Sequence, residues 1–366
     1  MRTLNGFTIP CLILASAFLA ALLSCSDRGS GTRSGTEAEG ETPQSAETVA
    51  EAVASITEED IYHRIGVLAH DSMGGRDTPS PGLEMAADWA ANEFDAMGLQ
   101  PGGDDGGFIQ RWDYTPRSGS GEEILPAPVP NVVGFLPGSD PELQDEWVVF
   151  TAHFDHVSGP ADDTGDAIYN GADDNASGTA AVMELAEAFA TLPDRTRRSL
   201  AFVLVSGEEK GLLGARHFAR GASLPQEAMV ADINADMVSM NWPDSIFVFG
   251  GEYTTLGATL EGVITDHPEV GISIMENRWP QLPLFRMSDQ FAFAQEGIPG
   301  IFFFSGLHDN LHRPSDELEE VDCEKAARVT RLMFHFGYEV AQTTGRPQWT
   351  EAGQEMLAGL EAGGAP

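Results

Sequence analysis

The stretch Asn170-Gly171-Ala172-Asp173-Asp174-Asn175-Ala176-Ser177-Gly178 sets two adjacent carboxylates in a glycine-bounded turn just before a helix. Behind it, Val182, Leu185, Ala186 and Phe189 recur at i, i+3, i+4 and i+7. That spacing docks one apolar face on a core and leaves the carboxylates at the helix's N-terminal end. Alone, an Asp-Asp-Asn run would do no more than cap the free N–H groups of the helix. Here His153-Phe154-Asp155-His156 precedes it, and further acidic and histidine positions follow apolar runs, which is the donor chemistry of a metal site.

Outward from this turn the chain alternates between short apolar runs and amphipathic helices. Residues 147–152 form a buried-strand pattern that delivers His153, 200–206 delivers Glu208 and Glu209, and 229–235 delivers Asp236. Further strands are expected at 108–114, 131–136, 246–249, 272–275 and 298–304. Helices are expected from Thr57 with Ile61, Ile65 and Leu68 on one face, and over 83–97, 212–220, 254–265, 289–295 and 323–341. Strands alternating with helices predict an α/β fold, a mostly parallel mixed sheet flanked by helices on both faces, whose ligands bind beyond the carboxyl ends of the strands.

The 366 residues and 42% hydrophobic content suffice for one substantial core. Against 57 acidic residues stand only 20 Lys and Arg, a formal net charge of −37 that argues against nucleic acid and against basic adhesion to anionic lipid. At the N-terminus, Arg2 precedes an apolar run over 10–23 that is short for a membrane span and reads as an export signal. Leu22-Leu23-Ser24-Cys25 resembles a bacterial lipoprotein signal, which implies a lipid on Cys25 and a place in the cell envelope, facing the periplasm or the exterior. The expected organisation is a signal at 1–24, a disordered tether at 25–55 poor in large apolar side chains, a catalytic domain at 56–345 and a C-terminal helix or tail at 346–366. With Cys25 lipidated after cleavage, Cys323 has no partner for an internal disulfide.

The candidate ligands are His153, Asp173, Glu209, Asp236 and His312, with Asp155 and Glu208 beside them. Imidazole and carboxylate donors suit zinc. Three carboxylates and a hydroxide offset the charge of two zinc ions, so five ligands suffice if one carboxylate, best placed at Asp173, bridges ions about 3.5–4 Å apart. Glu208, not needed as a ligand, is free to act as general base.

These residues lie in His153-Phe154-Asp155, in Gly171 to Gly178, and in Ser206-Gly207-Glu208-Glu209 with Gly211-Leu212 and Gly214. Two more elements follow, Asn234 with Asp236-Met237-Val238, and His312 with Pro314 and Asp316. In that order, over roughly 57–341, they resemble the co-catalytic zinc exopeptidases, the family that includes bacterial leucyl aminopeptidases, aminopeptidase Y and glutamate carboxypeptidase. The resemblance implies the zinc-exopeptidase (phosphorylase/hydrolase-like) architecture and two zinc ions. Asp173 is then the bridge, His153 and Asp236 hold one ion, Glu209 and His312 hold the other, Glu208 is the base and Asp155 orients His153. It implies hydrolysis of terminal residues from a peptide substrate by a metal-bound hydroxide, with aminopeptidase as the first choice. A carboxypeptidase, a glutaminyl-cyclase-like acyltransferase and a non-catalytic receptor-like domain are the alternatives.

The chain departs from the family pattern at Gln290, where a histidine is frequent, and at Leu311, where a tyrosine hydroxyl is frequent. His156, His217, His267, His308 and His335 fit no motif and are read as structural. Arg278 and Arg286 are read as surface arginines with the alternative of facing an acidic substrate group, and the apolar residues around 279–285 as core or specificity pocket.

Overall fold

Residues 46–115 and 126–363 are described by a computed structural model. The stretch read as an export signal, Cys25 and the first part of the expected tether lie outside them. The strands are β1 (Gln100–Pro101), β2 (Ile109–Tyr114), β3 (Ala127–Leu136), β4 (Trp147–His153), β5 (Ser199–Val205), β6 (Met229–Ala235), β7 (Ser245–Phe249), β8 (Ser273–Met275) and β9 (Gly300–Phe304). The α-helices are α1 (Ala46–Ala54), α2 (Glu58–Leu68), α3 (Pro81–Ala96), α4 (Gly178–Thr191), α5 (Leu213–Ala219), α6 (Leu256–Asp266), α7 (Gln290–Gln295), α8 (Cys323–Gln342) and α9 (Glu351–Gly363).

All nine strands join one sheet in the order β1-β3-β5-β4-β6-β9-β7-β8, with β2 also paired to β3. Its centre, β5-β4-β6-β9, is parallel, while β3 on β5 and β7 on β9 are antiparallel. The parallel strands are buried on both faces, as their unbroken apolar runs require. In β4, Val148, Phe150 and Ala152 join the core under α2, α4 and α8, whereas Val149 joins the opposite core under α5 and α7. This is the helix-on-both-faces architecture that the alternation predicts. Its consequence is that β4, β5, β6 and β9 all end on the same edge, where His153, Glu208, Glu209 and Asp236 leave the sheet.

Local signals mark the helix ends. Thr57 accepts from the Asp60 N–H at 3.1 Å to open α2, and Ser80 accepts from the Leu83 N–H at 3.1 Å to open α3, whose first residue is Pro81. Gly98, at φ +78, turns the chain after α3.

The tether expected as far as residue 55 is corrected over its last part, because residues 46–54 form α1. Its sequence is short in large apolar groups but rich in Ala and Glu, which favour helix, and Val49, Ala52 and Val53 at helical spacing pack on the main core. Among the described residues no helix is long and apolar enough to cross a membrane, and Cys323 is buried and unpaired.

Candidate metal centre

The acidic turn over Ala172–Ser177 runs straight into α4, and its Asp174 and Asn175 leave helical backbone angles, with a cis peptide between them. Its shape is fixed from three directions. The Asp316 carboxylate accepts the N–H groups of Asp173 (2.9 Å) and Asp174 (3.0 Å). Asn175 donates to the Ala235 carbonyl at 3.0 Å and accepts from the N–H groups of Gly178 and Met237, which ties the turn to the end of β6. The third hold is Arg76, fully buried. It donates to the carbonyls of Phe154 (2.8 Å), Asn170 (2.8 Å) and Gly171 (3.1 Å), and to that of Leu68 at the end of α2. Burial lowers its pKa to about 10, opposed by Asp316, Asp155 and Asp174, so it stays charged at neutral pH.

The two aspartates of the turn face different surroundings, and here the expected bridge is corrected. Asp173 does not reach the histidines at the strand ends. Its Oδ1 accepts from the Ser239 N–H (2.9 Å), the Ser239 hydroxyl (2.6 Å) and the Ser177 hydroxyl (3.0 Å), and its Oδ2 lies 3.2 Å from His308 Nε2. Burial raises the Asp173 pKa, yet His308 and Ser239 bring it below the ordinary value. Asp174 occupies the central position instead. Its Oδ1 lies 3.5 Å from His153 Nε2, and its Oδ2 lies 3.1 Å from His312 Nε2 and 3.5 Å from His156 Nδ1.

Around Asp174 the other candidates form two poles. At one, His153 Nε2 is 3.2 Å from Asp236 Oδ1, and the far oxygen of Asp236 accepts from the Ser288 hydroxyl at 2.7 Å. At the other, Glu209 Oε1 is 3.3 Å from His312 Nε2 and 3.2 Å from His156 Nδ1. Burial pushes the Glu209 pKa up, but His156 and His312 pull it well below the usual carboxylate range. His153, Asp174 and Asp236 make one compact donor set, and His156, Asp174 and Glu209 another. The donor chemistry fits divalent zinc at both poles: neutral-capable imidazoles, carboxylates and no thiolate. His156 Nδ1 and Glu209 Oε1 also fit, being buried and without a hydrogen-bond partner among the described residues.

His153 Nδ1 is directed by the Asp155 main-chain oxygen at 3.1 Å, closer than the Asp155 carboxylate at 3.8 Å. That carboxylate accepts from Thr78 (2.8 Å) and from the Glu208 N–H (3.2 Å), so Asp155 also aims the Glu208 segment. Glu208 lines a cavity of about 420 Å³ together with His153, Asp174, Glu209, Asp236 and His312. Burial holds its pKa well above the ordinary value, with Asp289, Glu209 and Asp236 adding to the shift against His153. The cavity continues between Leu212, Leu284, Phe302, Phe304, Leu307 and Leu311, and it also carries Arg216 and Arg286. Arg278 lies over the Trp242 ring at 4.4 Å, and Trp279 packs on Phe247 and Phe304.

Gln290 is buried, accepting from Asn234 (3.0 Å) and donating to the Phe285 carbonyl (2.6 Å), a bracing role under Asp236. Of the histidines read as structural, His156 faces Glu209 within the centre, while His308 Nε2 lies 3.2 Å from Asp173 beside it. The available signal for His156 was its spacing of three from His153 at a strand end. Arg216 lay unremarked on a short helix.

The profile of peptidase family M28 matches residues 131–337, and the chain belongs to that family. It is 27% identical over 237 residues to a probable leucine aminopeptidase of Trichophyton verrucosum, a match covering 59% of this chain and 58% of that one. It is 32% identical over 201 residues to a probable zinc metalloprotease of Pyrenophora teres f. teres, covering 52% and 41%. The chain thus spans less than two-thirds of these relatives. In fold it is similar to BSAP, a zinc aminopeptidase from Bacillus subtilis, with a TM-score of 0.63 at 15% identity over 80% of this chain and 97% of that one.

Proposed function

We propose that the protein is an exported, lipid-anchored zinc exopeptidase that releases single residues from the amino end of peptides. The observation that carries this reading is that His153 and His312 each meet an oxygen of Asp174, with Asp236 against His153 and Glu209 against His312, in a cavity that also presents Glu208. Two zinc ions are the expected complement, one held by His153 and Asp236, the other by Glu209 and His312, with Asp174 shared. Bound zinc supplies Lewis acidity for a peptide carbonyl and makes water a stronger acid. Glu208, near the donors yet outside the ligand set, takes the proton of the attacking water and returns it to the leaving amine. The apolar walls receive the side chain of the released residue. Export and the lipid anchor rest on the reading of residues 1–25.

Arg216 and Arg286 support a second reading. Neither has an acidic partner within ion-pair distance among the described residues, although the chain is strongly acidic, and either offers a grip for a substrate carboxylate, as a carboxypeptidase needs.

The test combines elemental analysis of the protein from Ser26 onward with amino-acid release from a Leu-containing dipeptide, an aminoacyl anilide and an N-blocked dipeptide. About two zinc ions per chain and release from free amino ends are expected, with Glu208→Gln keeping its metal while losing about 10²–10⁴-fold in rate. Release only from the blocked peptide selects the carboxypeptidase. Cyclisation of an N-terminal Gln peptide without release selects the cyclase, and protein that binds no metal overturns the catalytic reading.

A further inference from the structure

We infer that His156 is an additional zinc donor at the Glu209 pole, giving that pole four protein donors against three at the His153 pole. The inference rests on the zinc reading above, but it concerns a residue outside the expected ligand set.

His156 follows β4 by three residues, and its backbone bridges to Asp77. Its ring is packed against Gly171, at φ +57, where a β-carbon would stand 2.7 Å from ring carbons Cγ and Cδ2. No side chain fits at Gly171 without moving the imidazole, so the ring's position is set by the same loop that carries the acidic turn.

The His156 side chain is 0% exposed, and neither ring nitrogen has a hydrogen-bond partner among the described residues. For a buried imidazole this needs an explanation. Nδ1 is nevertheless 3.2 Å from Glu209 Oε1 and 3.5 Å from Asp174 Oδ2, and Glu209 Oε1 is itself buried and unpaired. These atoms are close, yet they are not aligned as donor and acceptor. Donors disposed around a common cation have that geometry, since each lone pair points at the ion and not at its neighbour.

The poles are then unequal. Asp174 Oδ2, Glu209 Oε1, His312 Nε2 and His156 Nδ1 make a full set of four, the number typical of a closed zinc site. His153 Nε2, Asp174 Oδ1 and Asp236 Oδ1 make three, the number that leaves a position open. Within the Glu209 pole, the His312 side chain is 49% exposed while that of His156 is fully buried, so His156 is the interior anchor. The Glu209 pole should fill first and retain its ion longest, and the His153 pole should be the exchangeable one.

The test uses zinc and cobalt(II) on metal-free protein from Ser26 onward. Wild type should bind the two ions in two separated steps. His156→Asn should weaken the tighter step at least about tenfold and leave the weaker one within threefold, with the melting temperature of the metal-free protein unchanged. His156→Cys supplies a readout that a packing role would not produce, because a thiolate-to-cobalt charge-transfer band appears only if this position bonds the metal. Failure of His156→Asn to fold leaves the cysteine variant decisive. Wild-type affinities in His156→Asn, or a His156→Cys protein with bound cobalt and no charge-transfer band, would overturn the inference while leaving the exopeptidase reading intact. Wild-type protein that binds no zinc would overturn both.

Discussion

Asp173 and Asp174 are neighbours of the same type in the same turn, 0% and 4% exposed, yet their surroundings are opposite. Asp173 meets hydroxyl and N–H donors from Ser177 and Ser239 and a histidine from the loop after β9. Among the described residues no side-chain hydroxyl or main-chain N–H donates to the Asp174 carboxylate, and three imidazole nitrogens face it instead. A carboxylate has about four acceptor directions. Asp173 Oδ1 is filled by protons that belong to the fold and its Oδ2 accepts from the Ser305 hydroxyl at 3.5 Å, whereas the Asp174 oxygens face imidazoles, as ligands to a cation would. The difference teaches that an acidic pair marks a metal site, but the donors around each member decide which one serves it.

The harshest break of this contrast is Asp174→Asn. It turns one of the two oxygens that face the poles into an amide and removes the charge common to both, and the expected result is loss of bound zinc at both, with no measurable amino-acid release. Protein that keeps two zinc ions by elemental analysis would contradict the central position given to Asp174. Asp173→Asn should act on the fold more than on the metal. An amide turned toward donors, beside a histidine that has lost its partner, costs about 3 kcal/mol. The melting temperature should fall by several degrees while zinc is retained and activity drops no more than about 100-fold. If Asp173→Asn lost zinc as completely as Asp174→Asn, the division of labour would be wrong.

A smaller effect separates acid instability from the site altogether. His335 on α8 stacks on His267 with ring centroids 3.6 Å apart, and burial, with His267, lowers its pKa to about 4. The unfolded chain binds this proton near pH 6.5 and the folded chain near pH 4. The contribution is therefore complete above 6.5, declines as pH falls through this window and is gone below 4. Denaturant melts of metal-free protein between pH 4 and 7 should show it, at most about 3 kcal/mol, and His335→Leu should flatten that part of the profile. An unchanged slope would remove His335 from the account.

Much of this was legible. Apolar runs named the parallel strands, and the polar residues just beyond them, among them His153, Glu208, Glu209 and Asp236, were expected at one edge because a parallel sheet brings its carboxyl ends together. The choice between Asp173 and Asp174 was not legible. It depends on Ser239 and His308, which are remote in sequence and meet the turn only in the folded chain. His156 was hidden for a related reason. The Glu209 carboxylate it faces follows a different strand, and the spacing of three from His153 does not by itself separate it from a packed histidine. Helix α1 escaped because its Ala- and Glu-rich composition resembles that of a flexible segment, and only packing on α4 and α8 separates the two.

The grip of Arg76 sets the smallest piece of this chain that can work. The part shared with the family begins at residue 131, yet the guanidinium holding the Phe154, Asn170 and Gly171 carbonyls comes from far upstream, on a segment anchored by α2 and α3. A chain trimmed to 131–337 would keep every proposed ligand and lose the clasp that shapes the loop between them. The shared region carries the chemistry, and the N-terminal helices keep it in register.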